Sequence, residues 1–201
     1  GAVAVLAGDD DDAGTDPDDG WHGVLQEPTP RPEFTLTDTE GRPFDFAAET
    51  KGQLTLLFFG YTHCPDVCPG HLSILSGALA MPGVPQPKVV FVTTDPARDT
   101  PERLREWLDN FDEDFIGLTG SVEEIAAAER AAFVAGSVRP EADADGEYEV
   151  GHAAQILAYT PDDQAHVAYP FGVRRQDWVE DLPRLLEEFP AGSAGDEGAG
   201  S

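Results

Sequence analysis

The stretch FFGYTHCPDVCPG, residues 58–70, contains the two cysteines of the chain, Cys64 and Cys68. Three residues separate them, and a proline, Pro65 or Pro69, follows each. At positions i and i+4 of a turn or helix start, their Cβ atoms would lie about 5–6 Å apart. That is close enough for a disulfide after modest adjustment, and it suits a grip on one soft metal ion from the same side. A nearby helix N-terminus favours thiolate over thiol, so both sulfurs are expected to deprotonate readily. The spacing differs from the C-x-x-C of thioredoxin-type redox pairs and leans toward metal, leaving redox work open. A purely bracing disulfide is the weakest option, because so small a loop removes little entropy from the unfolded chain.

Two thiolates rarely satisfy a metal alone, and five histidines are available. His22 falls in a linker-like segment and reads as a surface residue. His63 adjoins Cys64, and neighbouring side chains in an extended segment point apart. His71 follows the cysteines in the first helical turn and could lean toward them, whereas His166 reads as a half-exposed strand residue. His152 stands at a junction between the polar run EADADGEYEVG and the apolar run AAQILAY, which a mixed sheet could bring beside the cysteines.

The elements that would position these residues alternate in period. PEFTLTDTEGRPFDF (32–46) reads as an N-terminal β-hairpin around Glu40-Gly41. LTLLFFG (54–60) is continuously apolar, as expected of a strand covered on both faces. Pro69 would open the next helix, with Leu72, Leu75 and Leu79 inward, so that both cysteines lie in a β–turn–α connection. KVVFVTT (88–94) repeats the pattern, followed by a helix capped by Thr100 and opened by Pro101, with Leu104, Trp107, Leu108 and Phe111 as its buried stripe. FIGLT (115–119) precedes a capping box, Ser121 to Glu124, and a helix burying Ile125, Ala128, Ala132 and Phe133 and closing at Gly136. Residues 153–172 form two strands around a Pro161-Asp162-Asp163 turn. A last helix over about 175–189, with Trp178, Leu182, Leu185, Leu186 and Phe189 inward, contains Pro183 and should kink or split there. The order gives an α/β fold with a central mixed sheet and helices on both faces.

Of 201 residues, 39 are acidic and 12 basic, for a formal net charge of −27. Such a chain is no general nucleic-acid binder. With two lysines, Lys51 and Lys88, against ten arginines, the surface resembles that of proteins from extreme halophiles, where concentrated salt screens self-repulsion. Residues 1–30 are expected to be a disordered acidic linker, since their Asp/Gly/Pro run cannot bury enough surface to offset ordering entropy. The opening GAVAVLAG is too short to span a bilayer and reads as the remnant of an N-terminal anchor or signal segment. VLAG also looks like a lipoprotein leader, with Asp9 where the lipidated cysteine would stand. Residues 191–201 are expected to be a flexible tail, which leaves one domain over 31–190.

Three blocks in order, FGYTHCPDVCP, VFVTTDPARDTPERLREWL and GHAAQILAYTP, resemble the signatures of the Sco/SenC family of copper-binding proteins with a thioredoxin-like fold, which serve cytochrome c oxidase assembly. The resemblance implies that Cys64, Cys68 and His152 bind copper as Cu(I) or Cu(II), and that the recipient is the binuclear copper centre of cytochrome c oxidase subunit II. It implies a metallochaperone, with a thiol-disulfide oxidoreductase acting on the cysteines of that centre as the alternative. It further implies a site on the extracytoplasmic face of the cell membrane, tethered by an N-terminal segment. Another copper chaperone or a thiol reductant would be a further partner, because an oxidised pair cannot take Cu(I). Asp95, at the end of the second buried strand, is a candidate for the second shell or for an extra oxygen ligand. Gly151 replaces an acidic residue that many members carry before the histidine. A peroxiredoxin-type peroxidase fits poorly, because Thr62-His63-Cys64 replaces its Thr-x-x-Cys arrangement.

Overall fold

The computed structural model describes residues 20–142 and 147–193. Its centre is an eight-stranded mixed sheet in the order β1-β8-β7-β4-β5-β6-β2-β3. The strands are β1 (Val24–Pro30), β2 (Thr35–Asp38), β3 (Pro43–Asp45), β4 (Thr55–Gly60), β5 (Lys88–Thr93), β6 (Ile116–Thr119), β7 (Ile156–Tyr159) and β8 (Gln164–Tyr169). The helices are α1 (Phe46–Thr50), α2 (Val67–Leu79), α3 (Pro101–Leu108), α4 (Val122–Ala131) and α5 (Arg175–Glu188).

Strands β4, β5 and β6 run parallel, and every residue of β4 is buried. That burial follows from a run with no polar face: Leu56 and Phe58 point into one core layer, Leu57 and Phe59 into the other. The first layer is closed by α2, α3 and α5 through Leu72, Leu75, Leu104, Leu108, Trp178 and Leu182. The second is closed by α1 and α4 through Phe46, Ile125 and Ala128. Helices therefore cover both faces of a mixed sheet, and the expected hairpin is β2–β3 at one edge.

Two adjacencies fix where a site can form. Strand β5 runs parallel to β4 with Gly60 opposite Thr93, so both strands end at the same rim. Strand β7 runs antiparallel to β4 with Phe58 opposite Ile156, so the start of β7 lies at that rim too. The Cys64 turn, Asp95 and His152 are thereby delivered to one end of the sheet.

Several expectations are corrected. The linker expected over 1–30 stops short, because Val24–Pro30 forms β1 and pairs antiparallel with β8. The acidic run that suggested a linker ends before that strand. The strand is held at its far end by Arg31, whose buried guanidinium donates to Thr50 Oγ1, the Gln53 and Thr160 carbonyls and Asp163. The disorder expected for 1–19 and the flexibility expected for 194–201 lie outside the described residues. Helix α4 ends earlier than its apolar pattern suggests: Phe133 takes a left-handed conformation (φ 56°), and the Val134 and Phe133 amides donate to the Glu129 and Arg130 carbonyls. This is a Schellman closure with phenylalanine in the position glycine usually fills, and it turns Phe133 outward at 68% exposure. Pro183 does not split α5, which continues from Arg175 to Glu188, while Leu186 faces outward. Finally, α2 opens at Val67, two residues before Pro69, so Cys68 belongs to the helix and Cys64 alone to the turn.

Candidate metal centre

Cys64 and Cys68 are both free, and both are buried, at 8% and 0% exposure. Burial is possible because Gly60 ends β4 beneath them: a Cβ there would lie 2.8 Å from Cys68 Sγ and 2.8 Å from the Phe91 ring. The residue below the helix must therefore be glycine for the second sulfur to sink against the sheet. In the sequence Gly60 stands out only as the last residue of an apolar run, and a glycine closing a buried strand is the signal that marks it.

The first turn of α2 is capped by sulfur. Asp66, in the N-cap position, makes no side-chain cap hydrogen bond, and the Cys68 amide instead donates to Cys64 Sγ at 3.3 Å. A helix N-terminus and its unpaired amides stabilise a negative sulfur. Cys64 is held down to about 3, chiefly because Cys68 Sγ–H donates to it, with help from His152 and the Asp66 and Cys68 amides, against the opposing effect of burial. Cys68 is pushed the other way, far up, by the same hydrogen bond and by its deeper burial. The expectation that both sulfurs ionise easily is thus corrected to a thiolate and a thiol sharing one proton. The cause is that two negative sulfurs this close and this dry repel each other when no metal lies between them.

His152 completes the cluster. Its Nε2 lies 3.5 Å from Cys68 Sγ. One ligand atom each from Cys64, Cys68 and His152 falls within 4.8 Å of the others. Its Nδ1 lies 2.9 Å from the Ala153 carbonyl oxygen. A carbonyl can only accept, so Nδ1 carries the proton and Nε2 presents its lone pair to the sulfurs in the neutral ring. The ring is half-buried, edge-on to Tyr61 at 5.6 Å and near Phe58 at 6.1 Å. Burial alone would lower its pKa, but the Cys64 thiolate and the Ala153 carbonyl outweigh it, and the net shift is upward. Tyr61, Pro65, Val67, Glu149 and Gly151 line a cleft of about 480 Å³ that opens onto Cys64 and His152.

The remaining histidines are elsewhere. His71 is buried in α2 between Phe58 and Phe171, and burial lowers its pKa to about 4, opposed by its hydrogen bond to the Ala154 backbone. It stands outside the sulfur cluster. His22 pairs with Glu180, and His166 with Asp162 while stacking on Phe189. His63 is exposed beside Thr62 and Asp99. With Asp95 and Asp99 it makes the second grouping of possible metal ligands among the described residues. There the carboxylates are already occupied: Asp99 accepts from the Thr62 amide, Thr62 Oγ1 and Thr93 Oγ1, and Asp95 accepts from Arg98 and Tyr148. That network is structural, tying the start of the cysteine turn to the exit of β5.

The SCO1/SenC family model matches residues 24–187. The chain belongs to the SCO1/SenC family. It is 40% identical over 134 residues to a mitochondrial SCO2 homologue of Bos taurus, covering 65% of this chain and 50% of the relative. It is 36% identical over 165 residues to a putative copper-binding protein of Stutzerimonas stutzeri, covering 78% of this chain and 76% of that one. The chain thus spans only about half the length of the bovine relative. Among solved structures, ScoI of Arabidopsis thaliana with copper bound superposes at a TM-score of 0.71 and 28% identity, over 80% of this chain and 100% of that one. The fold is the Sco thioredoxin-like fold, and this family includes proteins solved with copper in place. The family match ends within α5 and begins at the first residue of β1, which places that edge strand inside the family's domain.

Proposed function

We propose that this SCO1/SenC protein is a copper carrier that holds one copper ion through Cys64, Cys68 and His152. The carrying observation is the convergence of two sulfurs and one imidazole nitrogen within 4.8 Å at one rim of the sheet. The donor set fits copper. Thiolates select soft ions, an imidazole suits either copper oxidation state, and three donors fall short of the four that a structural zinc usually takes. Cys64 offers a thiolate ready for loading, and Cys68 gives up the shared proton when it takes its place as a ligand. Two of the three ligands sit on one turn and helix start, and the adjoining cleft leaves a side open for a receiving protein's ligands. The recipient in this reading is the binuclear copper centre of cytochrome c oxidase subunit II. The working location is the extracytoplasmic face of the membrane, with tethering by a segment other than the described helices, none of which is long and apolar enough to cross a bilayer.

One observation favours a second activity of the same pair. Cys64 Sγ accepts the Cys68 amide at the start of α2, an arrangement that favours a thiolate there, beside the free thiol of Cys68. It could attack a disulfide of the recipient, forming a mixed disulfide and expelling one recipient thiolate. Cys68, on losing its proton, would then attack Cys64 Sγ, leaving a Cys64–Cys68 disulfide here and a dithiol on the recipient.

A competitive Cu(I) titration of the reduced protein tests the carrier. Wild type should bind one ion per chain, Cys64→Ser and Cys68→Ser should lose tight binding, and His152→Ala should be weakened. Wild-type affinity in all three variants would contradict it, while disulfide exchange that survives His152→Ala would support the second activity.

A further inference from the structure

The segment that brings His152 to the sulfurs is long and polar, and among its described residues Tyr148 is fastened strongly to the body of the protein. Tyr148, four residues before the histidine, is held in three ways by two residues of the β5–α3 connection. The Arg98 guanidinium donates to the Tyr148 carbonyl at 2.9 Å. It also lies over the Tyr148 ring, 3.6 Å from the centroid, a cation–π contact. The Tyr148 hydroxyl donates to Asp95 Oδ1 at 2.7 Å. Asp95 in turn is fully buried and accepts from Arg98 Nε at 2.5 Å, closing the set. Arg98 reaches the metal side as well, with its guanidinium 6.0 Å from the centre of the Tyr61 ring that packs edge-on to His152.

Between Tyr148 and His152 the chain is registered once more, where Gly151 and Val138 exchange both backbone hydrogen bonds. The stretch from 148 to 152 is therefore pinned at one end by Arg98 and Asp95, packed midway by buried Val150, whose backbone hydrogen-bonds Tyr61, and crossed by the Val138–Gly151 bridge, with the imidazole just beyond. Asp95 and Arg98 are anchored by the strand that ends beside β4, so the pin refers the histidine's position to the same rim that fixes the cysteines.

We propose that Arg98 and Tyr148 are positioning residues for the third ligand: with Asp95 they form a latch that holds the His152 loop in register with Cys64 and Cys68. The proposal rests on the reading of His152 as a copper ligand. Asp95 thereby acts on the site through the loop, and stands outside the Cys64–Cys68–His152 cluster. Releasing the latch leaves both sulfurs in place and lets the imidazole wander, so the loss should be that of an orienting partner, roughly 10–100-fold in metal affinity.

The test combines a measurement on the metal-free protein with one on binding. In Arg98→Met, the Gly151 amide, which donates to the Val138 carbonyl at 2.9 Å, should exchange with solvent faster, while amides of β4 keep their protection. Cu(I) affinity of Arg98→Met should fall by roughly 10–100-fold. The double variant Arg98→Met/His152→Ala should bind no more weakly than His152→Ala alone, because both changes remove the same ligand. Tyr148→Phe, which keeps the ring under the guanidinium and loses the bond to Asp95, should move both readouts in the same direction by less, and it carries the test should Arg98→Met fail to fold. Unchanged Gly151 exchange with wild-type affinity, or losses from Arg98→Met and His152→Ala that simply add, would overturn the latch. If His152→Ala itself binds like wild type, the copper-ligand reading fails and takes the latch with it, a pattern distinct from failure of the latch alone.

Discussion

At the scale of single residues, the site is organised by one proton shared between two sulfurs. In the unfolded chain both thiols titrate near the ordinary value of about 8.5. In the folded dithiol protein Cys64 is held down to about 3 and Cys68 is pushed up. Below the ordinary value the unfolded chain carries two protons on the pair and the folded one carries one, so stability rises with pH across the window between about 3 and about 8.5. Above it the unfolded pair carries none while Cys68 keeps its proton, so stability falls again. Denaturant unfolding of the reduced protein across this range should show the difference between wild type and Cys64→Ser growing with pH through the acid side. A difference that stays flat would contradict the thiolate assignment. The candidate ligands were legible in sequence, the two cysteines through their spacing and His152 through the family signature. The asymmetry between the sulfurs was not, because it depends on the register of α2. Only when the helix is seen to open at Val67 does Cys64 become a cap and Cys68 a buried first-turn residue.

At the scale of elements, antiparallel β7 explains how a histidine 84 positions beyond Cys68 arrives beside it. Short apolar runs predict both strands, but pairing between β4 and β7 is a tertiary choice that no local pattern encodes. The same holds for β1, whose exposed and polar residues carry no strand period, and which forms because β8 offers it an edge. Phe133 misled for the opposite reason: it continues the apolar stripe of α4, yet the backbone closes before the stripe does. The close approach of α2 to β4 gives a prediction of its own. Gly60→Ala should cost about 1–3 kcal/mol of stability, the usual penalty of overpacking, because its methyl meets Cys68 Sγ and Phe91 at once. It should also weaken copper binding by shifting the second sulfur. Chemical denaturation and Cu(I) competition would read both, and a variant unchanged in each would show that the helix can move away freely.

For the whole molecule, the net charge of −27 is the dominant fact. Like charges on so small a body repel, and the Debye length shrinks from about 10 Å at 0.1 M salt to about 3 Å at 1 M. Screening of that repulsion should stabilise the protein. Its melting temperature should rise between dilute buffer and molar salt, and a melt that does not move would contradict this. Screening acts on exposed carboxylates and leaves the buried Asp95–Arg98 pair nearly untouched, so the loop latch should survive at both ends of the salt range.

A copper carrier of this kind requires two sulfurs and one imidazole to share a single ion. X-ray absorption at the copper edge of the loaded, reduced protein tests this most directly. It should count two sulfur neighbours and one imidazole nitrogen in wild type, and His152→Ala should keep both sulfurs while losing the imidazole signal. An imidazole signal that persists in His152→Ala, or a wild-type centre with fewer than two sulfurs, would contradict the assignment.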